Sequence, residues 1–183
     1  VANYTGGNVA LYSTANNGKL NPSPQIIDHK ILDTTKTAHA HMAKFINEEL
    51  FVSDLGLDRI KKYSKTDGQY ASSEQKELLE GESFCADIHL SSDGKFLYGT
   101  NRGENTIVVF EVDQATGKLN LLGRESVKGD WPRNFSIDPS GNFILVANQR
   151  SNNIVVFKRN IELGTLSFVN QVDLPSPVCL KFY

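Results

Sequence analysis

The chain has 183 residues, of which 39% are apolar and 22% charged, and its formal net charge at pH 7 is −2. This length and apolar content are sufficient for a sizeable core and indicate one domain. The near balance of charge disfavours nucleic acid or an anionic membrane as a partner, since both bind proteins with a basic excess. No apolar run approaches the roughly 20 residues that a membrane-spanning helix requires.

The two cysteines, Cys85 and Cys179, lie in separate apolar, strand-like runs and do not form a CxxC pair. This pattern is typical of buried, reduced thiols in a cytosolic protein. The sequence therefore predicts a cytoplasmic protein with two buried thiols and no disulfide.

A nine-residue spacing recurs four times along the chain. In each copy a polar turn with Gly or Asn precedes alternating apolar residues and a final aromatic residue. The copies run from Asn3 to Tyr12, from Asp54 to Tyr63, from Asn101 to Phe110 and from Asn148 to Phe157. The last three copies begin 47 residues apart, and repeats of this length with four strands each are typical of a β-propeller. The sequence therefore predicts an all-β propeller fold.

In chain order, residues 1–27 contain three strands and lack the first strand of a full repeat. The second repeat covers about residues 38–80, and its first hairpin is short, with Asn47-Glu48-Glu49 where other copies have a glycine turn. Ser73–Glu80 is the one stretch of helical composition. It lies where a connection between blades is expected, and an isolated helix of this length would be marginal.

The third and fourth repeats, at about residues 84–127 and 131–174, show the full pattern of four strands. The Asp93-Gly94 turn between alternating runs is a strong hairpin signal. The predicted strands are Ala86–Ser91, Phe96–Thr100, Thr106–Val112, Leu119–Ser126, Asn134–Ile137, Phe143–Ala147, Ile154–Phe157 and Leu166–Val172.

The chain ends in a lone predicted strand, Val178–Phe182. Paired with the three strands of residues 1–27, it would complete a split blade and remove the open edges of the ring. Because Val1-Ala2-Asn3 matches Val146-Ala147-Asn148, the chain is expected to begin inside a strand. A closed ring of four blades and a piece of a larger propeller are both compatible with this count.

Several segments resemble the 6-phosphogluconolactonase family, the seven-bladed β-propeller lactonases. In family order they are residues 1–9, His39-Ala40-His41, residues 54–59, Ala86–His89, Asp93–Tyr98, Asn101-Arg102-Gly103, residues 131–135 and Pro175–Phe182. The family's first blade and most of its second would precede Val1. A further blade, with a Pro-Arg-His segment and an Asn-Glu pair, would lie between Tyr63 and Cys85. The resemblance therefore implies a propeller from which about three of seven blades are absent.

The resemblance implies hydrolysis of 6-phospho-D-glucono-1,5-lactone to 6-phosphogluconate, a step of the pentose phosphate pathway. Water attacks the ester carbonyl of a lactone, so the site requires a base and cationic or N–H donors for the oxyanion. A phosphorylated lactone also requires a guanidinium that binds phosphate. The expected partner is a small sugar lactone, and neither a cofactor nor a metal ion is expected.

His41 and Arg102 are the candidate catalytic residues. His41 matches the second histidine of the family's His-x-His, and an imidazole titrates near neutral pH, which suits a general acid or base. Arg102 matches the arginine of the family's Asn-Arg-Gly, for which the resemblance implies an anion-binding or oxyanion-stabilising role. The simpler alternatives are a histidine that only donates hydrogen bonds and a solvated turn arginine.

Four further residues are candidates for binding the substrate or its phosphate: Arg133, His39, His89 and Asp87. Arg133 stands in the register that His41 occupies two repeats earlier, and it either binds an anion or pairs with Asp87 or Asp138. His39 either binds substrate or anchors its loop, and Asp87 with His89 orients a water or forms a structural pair. The propeller hypothesis places His41, Arg102 and Arg133 at a shared opening.

No residue of this sequence matches the family's Arg and Glu of the absent blade. Glu77, Glu80 and Glu82 lie in the shortened connection, but their spacing does not support a replacement. A muconate-lactonising cyclase-like enzyme and an inactive propeller that serves as a binding module therefore remain as alternatives. Asp54 and Asp58 flank a glycine turn, and turn capping explains both.

Overall fold

The computed structural model is all-β and describes residues 1–46, 48–77 and 84–182. The chain divides into two compact units, Val1–Glu77 and Leu78–Tyr183. In the described part of the chain, no helix is long and apolar enough to cross a membrane. The predicted single domain and its blade boundaries stay a prediction.

The first unit contains two antiparallel sheets. The first sheet has three strands, in the order β1 (Ala2–Asn3), β2 (Asn8–Leu11) and β3 (Gln25–Asp28), and a 3-10 turn at His29–Ile31 follows. The second has four strands in chain order, β4 (Ala40–Ile46), β5 (Glu49–Asp54), β6 (Arg59–Thr66) and β7 (Gln69–Glu77). Buried Val9, Leu50, Val52 and Tyr63 belong to one apolar cluster of this unit.

The second unit contains two four-stranded antiparallel sheets, each in chain order. Their strands are β8 (Phe84–Leu90), β9 (Phe96–Arg102), β10 (Thr106–Val112), β11 (Leu119–Ser126), β12 (Pro132–Ile137), β13 (Phe143–Asn148), β14 (Asn153–Arg159) and β15 (Leu166–Asp173). All eight predicted strands of these repeats are confirmed within two residues at either end. Side chains of both sheets, among them Tyr98, Ile107, Phe135 and Phe157, share one core cluster.

The nine-residue repeat is the hairpin between the second and third strands of each four-stranded sheet and, in its first copy, the hairpin between β1 and β2 of the three-stranded sheet. Its fifth residue adopts a left-handed backbone in every copy, with φ of 60° at Gly7, 52° at Asp58, 57° at Asn105 and 55° at Asn152. Gly, Asn and Asp are the residues that tolerate this conformation. Asp58 therefore suits this turn through its backbone conformation, whereas the predicted capping is performed by Asp54, whose Oδ1 accepts the backbone N–H groups of Gly56 and Leu57.

Ser73–Glu80, the stretch of helical composition, forms no helix over its described part. Residues up to Glu77 belong to β7, which pairs with β6 through Tyr63 opposite Ser72 and Lys65 opposite Tyr70. The exposed edge of β6 supplies a full ladder of backbone partners, whereas so short a helix has little stability of its own. The remaining residues, 78–80, lie outside the described residues, as do Glu82 and Asn47.

The predicted strand Val178–Phe182 is also wrong, since the described residues after Asp173 form no strand. Pro175 and Pro177 lack a backbone N–H and so interrupt a ladder. The backbone N–H of Leu180 instead donates to Oδ1 of Asn134 at 2.6 Å.

In the described part of the chain, the sheet of β1–β3 keeps three strands, and the fourth strand of a split blade is not formed there. Neither cysteine is in a disulfide, as predicted, but only Cys85 is buried, because Cys179 lies in the irregular segment and is exposed.

Candidate functional site

In the first unit, two predicted histidines meet at one tyrosine. The His39 ring stacks on Tyr4, with centroids 4.5 Å apart and planes 10° apart, and its Nδ1 lies 3.1 Å from the Tyr4 carbonyl oxygen. The His41 ring meets Tyr4 edge-on, with centroids 6.1 Å apart. The structure therefore brings His39 and His41 together, and the hydrogen bond of His39 supports its role as a loop anchor.

His41 is the extra residue of a β-bulge. The register between β4 and β5 shifts between Ala40 and Met42, so that His41 is inserted into the first strand. A bulge bends its strand and redirects a side chain, and bulges are frequent beside active sites.

Arg133 has the same place in the second unit. The register between β12 and β13 shifts between Pro132 and Asn134, which makes Arg133 the inserted residue. The predicted equivalence of His41 and Arg133 is therefore confirmed at the level of strand register. Arg133 is exposed, and its Nη1 donates to Oε1 of Gln149 at 3.5 Å.

A buried polar network fixes the entry of β4. Nδ1 of His29 lies 2.6 Å from Oδ2 of Asp54, and Nε2 lies 2.8 Å from the Tyr63 hydroxyl. Because an ionised carboxylate only accepts hydrogen bonds, Nδ1 is the donor to Asp54. Oδ1 of Asp54 accepts the backbone N–H groups of His39 at 2.8 Å and Leu57 at 3.0 Å.

This network determines the ionisation of its own members. Burial raises the pKa of Asp54, but the hydrogen bonds from His29, His39 and Leu57 outweigh it, and the pKa lies below its usual value. Burial, followed by the charge of Asp54, raises the pKa of Tyr63. Since His29, Asp54 and Tyr63 are at most 1% exposed, the network positions the histidine segment and does not contact a ligand.

In the second unit, Arg102 ends β9 and is only 6% exposed. Its Nη2 donates to the carbonyl oxygen of Cys85 at 3.2 Å, and its guanidinium carbon lies 5.4 Å from the centre of the Trp131 ring. The alternative of a solvated turn arginine is therefore wrong. The guanidinium is held in place before any ligand arrives.

Trp131 is the centre of this part of the site. The guanidinium carbon of Arg150 lies 3.4 Å from the centre of its ring, and the ring of Phe84 lies 5.9 Å away. Trp131 has a φ of 66°, an unusual conformation for a bulky residue. Its backbone N–H donates to Oδ1 of Asn105 at 2.9 Å, and its backbone carbonyl oxygen accepts from the backbone N–H of Gln149 at 3.0 Å.

Asp87 and His89 form a structural pair. Oδ2 of Asp87 lies 3.2 Å from Nε2 of His89 and accepts from Nδ2 of Asn134 at 2.6 Å and from the Phe135 N–H at 3.2 Å. Asp87 thus joins β8 to β12. Its charge and its protein donors make it a poor phosphate ligand, so its substrate-binding role and that of His89 stay predictions that this geometry does not favour.

Sequence reasoning missed Tyr4, His29, Trp131 and Arg150 as members of these clusters. Trp131 belongs to a segment that resembles the family, but the sequence pattern indicates neither its positive φ nor its contacts with two arginines. Among the described residues, no group of three His, Cys, Asp or Glu side chains is placed to hold a metal ion. The shared opening of His41, Arg102 and Arg133 stays a prediction.

Repeated four-stranded antiparallel sheets of this kind are the blades of a β-propeller protein. The model of the family "Lactonase, 7-bladed beta-propeller" matches residues 1–80 and 65–182. The chain therefore belongs to the lactonase family of seven-bladed β-propellers. The two matched segments overlap at residues 65–80, which lie in the region where the resemblance implies an absent blade.

Relatives agree with this assignment. The chain is 34% identical to the 6-phosphogluconolactonase of Formosa agariphila, with 93% of this chain and 66% of the relative covered. It is 44% identical to that of Bacillus subtilis over 52% of this chain and 28% of the relative. The solved structure of the periplasmic gluconolactonase of Pseudomonas aeruginosa is 25% identical to this chain and superposes with a TM-score of 0.70. The match covers 99% of this chain and 68% of the gluconolactonase. The chain thus spans less than two thirds of these curated relatives.

Proposed function

We propose that this chain acts as a lactone hydrolase on 6-phospho-D-glucono-1,5-lactone and produces 6-phosphogluconate. The observation that carries the proposal is Arg102, a buried guanidinium fixed by a carbonyl oxygen and an indole ring. The relatives named 6-phosphogluconolactonase support the substrate class. They give no support to the muconate-cyclase alternative.

The proposed reaction adds water to the lactone carbonyl and opens the ring through an oxyanion. Arg102 stabilises that oxyanion, since its donors are fixed before charge develops and need no reorganisation during the step. Arg133 stands on a bulge and is exposed, which suits contact with a phosphate that arrives from solvent. His41 is the proposed acid or base, a role that rests on its bulge position and on the family motif.

The remaining assignments follow from this reaction. The partner is a small phosphorylated sugar lactone, the step belongs to the pentose phosphate pathway, and the proposed location is the cytoplasm. The chemistry proceeds with water and protein side chains alone, so the proposal includes no cofactor.

The test is lactone hydrolysis by the 183-residue chain, followed as acid release above the spontaneous rate. Arg102→Ala is expected to lower kcat by about 100-fold or more, as when a donor to an oxyanion is removed. Arg124→Ala is the control, because Arg124 is an exposed arginine on β11 that pairs with Glu104 at 3.6 Å, and it should keep the wild-type rate. A chain that never exceeds spontaneous opening would instead favour a binding module.

A further inference from the structure

We propose that Arg150 is a further phosphate-binding residue, held flat on Trp131 so that its N–H edge faces the substrate's phosphate. The inference rests on the proposed function, since the phosphorylated lactone supplies the anion. Arg150 lies outside the segments that resemble the lactonase family, and its contact with the indole ring carries the inference.

The distance fixes the orientation of the guanidinium. Its central carbon lies 3.4 Å from the centre of the Trp131 ring, which is van der Waals contact. If the guanidinium stood upright on the ring, one of its nitrogens would overlap ring atoms, so it lies flat. A flat guanidinium uses its face for the cation–π contact and keeps its N–H donors at the edge, where they match phosphate oxygens two at a time.

The ring beneath Arg150 is itself rigidly held. Trp131 keeps its left-handed backbone conformation because its backbone N–H donates to the side chain of Asn105 and its backbone carbonyl oxygen accepts from the N–H of Gln149. The backbone N–H of Arg150 donates to the carbonyl oxygen of Asp130 at 3.1 Å, which ties the arginine's own turn to the same segment. Strained conformations that are fixed by several neighbours are concentrated at binding and catalytic sites.

The charge around Arg150 favours an anion. It is exposed, and among the described residues neither Arg150 nor Arg133 takes part in an ion pair. Gln149 directly precedes Arg150 in sequence, and its Oε1 accepts a hydrogen bond from Nη1 of Arg133 at 3.5 Å. The carboxylate of the neighbouring Asp130 accepts from Nδ2 of Asn105 at 2.9 Å. Two exposed guanidiniums, one at the bulge of β12 and one in the turn after β13, thus present donors to solvent.

Binding is measured with stable ligands, so that the test does not depend on turnover. Trp131 is the only tryptophan of the chain, and its fluorescence reports binding beside Arg150. The wild-type chain is titrated with 6-phosphogluconate, with gluconate and with inorganic phosphate, and calorimetry gives the dissociation constants. Arg150→Ala is expected to weaken 6-phosphogluconate and phosphate by about tenfold or more, since a hydrogen bond between charged groups is lost. The affinity for gluconate should stay unchanged.

Two further variants separate binding from structure. Arg150→Lys keeps the charge but loses the flat, two-point geometry, and it should bind phosphate several-fold more weakly than wild type. Arg124→Ala, the control, should bind all three ligands like wild type, and far-UV circular dichroism checks the fold of every variant. Phosphate affinity unchanged in Arg150→Ala or in Arg150→Lys would overturn the inference. Equal losses for gluconate and 6-phosphogluconate, or no saturable phosphate binding by wild type, would overturn it too.

The outcome is distinguishable from that of the proposed function. A chain that binds phosphate through Arg150 but does not hydrolyse the lactone retains this inference and loses the proposed activity. A chain that hydrolyses the lactone equally well with Arg150→Ala, and binds phosphate equally well, loses this inference and retains the activity.

Discussion

Replacement of Asp54 by alanine should destabilise the first unit strongly. The carboxylate is fully buried and accepts four hydrogen bonds: from the His29 ring at 2.6 Å and from the backbone N–H groups of His39, Gly56 and Leu57 at 2.8, 3.1 and 3.0 Å. Each buried donor left unsatisfied costs about 1–3 kcal/mol, so the four together predict a loss of about 4 kcal/mol or more. That is a large share of the stability of an ordinary domain.

The assay is urea unfolding at 25 °C, followed by far-UV circular dichroism. Asp33→Ala is the control in the same unit, because Asp33 is partly exposed, accepts from Thr35 in its own loop and lies 3.8 Å from Nη1 of Arg59, so that water replaces more of its contacts than at Asp54. The decrease in unfolding free energy caused by Asp33→Ala should be a small fraction of the decrease caused by Asp54→Ala. The slope of the transition should be the same in both variants, which shows that they differ in stability and not in the surface exposed. Equal midpoints for Asp54→Ala and Asp33→Ala would refute the reasoning from burial.

Three other predictions concern the same region. Gly56→Ala should lower the free energy of unfolding by about 1–3 kcal/mol, because the added Cβ would overlap the Thr37 carbonyl oxygen. Gly123→Ala is the control, since its added Cβ meets no described atom within 4 Å, and it should leave the unfolding free energy in the same urea assay unchanged. Tyr63→Phe should cost about 1–3 kcal/mol, since the buried imidazole loses its hydroxyl partner, and an unchanged urea midpoint would contradict this. The pKa of Asp54 in the folded state lies below its usual value. The contribution of this ionised carboxylate to the free energy of unfolding is therefore complete above about pH 4 and is lost as pH falls through the folded-state pKa. The difference in unfolding free energy between wild type and Asp54→Asn should therefore shrink below pH 4, and a difference that grows there would contradict the sign.

The strands were predictable because their pattern is local. Thr106–Val112 is a short run rich in β-branched and apolar residues and is bounded by turns, and the structure has the strand with those same ends. Ser73–Glu80 shows the limit of such reasoning. Its composition favours a helix, but its described residues continue the hairpin that β7 forms with β6 across the Asp67-Gly68 turn, and this pairing overrides the helical propensity. The Asp-Gly pair is a local hairpin signal, and it outweighed the helical composition of the residues that follow it.

The site was predictable only where a residue type matched a motif. His41, Arg102 and Arg133 were found in this way, whereas Arg150 and His29 were not. His29 meets Asp54 across 25 residues and Tyr63 across 34, so its role depends on the folded chain. The proline-containing end of the chain was misassigned for a related reason, since the alternation of Val178–Phe182 fits a strand but a side-chain amide is the partner that it meets.

The inserted residue in the first strand of each repeated sheet has a consequence for how this family diversifies. The ladder is already in register on both sides of the insertion, at His41 in β4 and at Arg133 in β12, and β8 shows the same shift between Cys85 and Ile88. This location holds an imidazole in one repeat and a guanidinium in another, while the rest of each sheet keeps its alignment. New reactivity can arise in such a scaffold one blade at a time, with little penalty to folding.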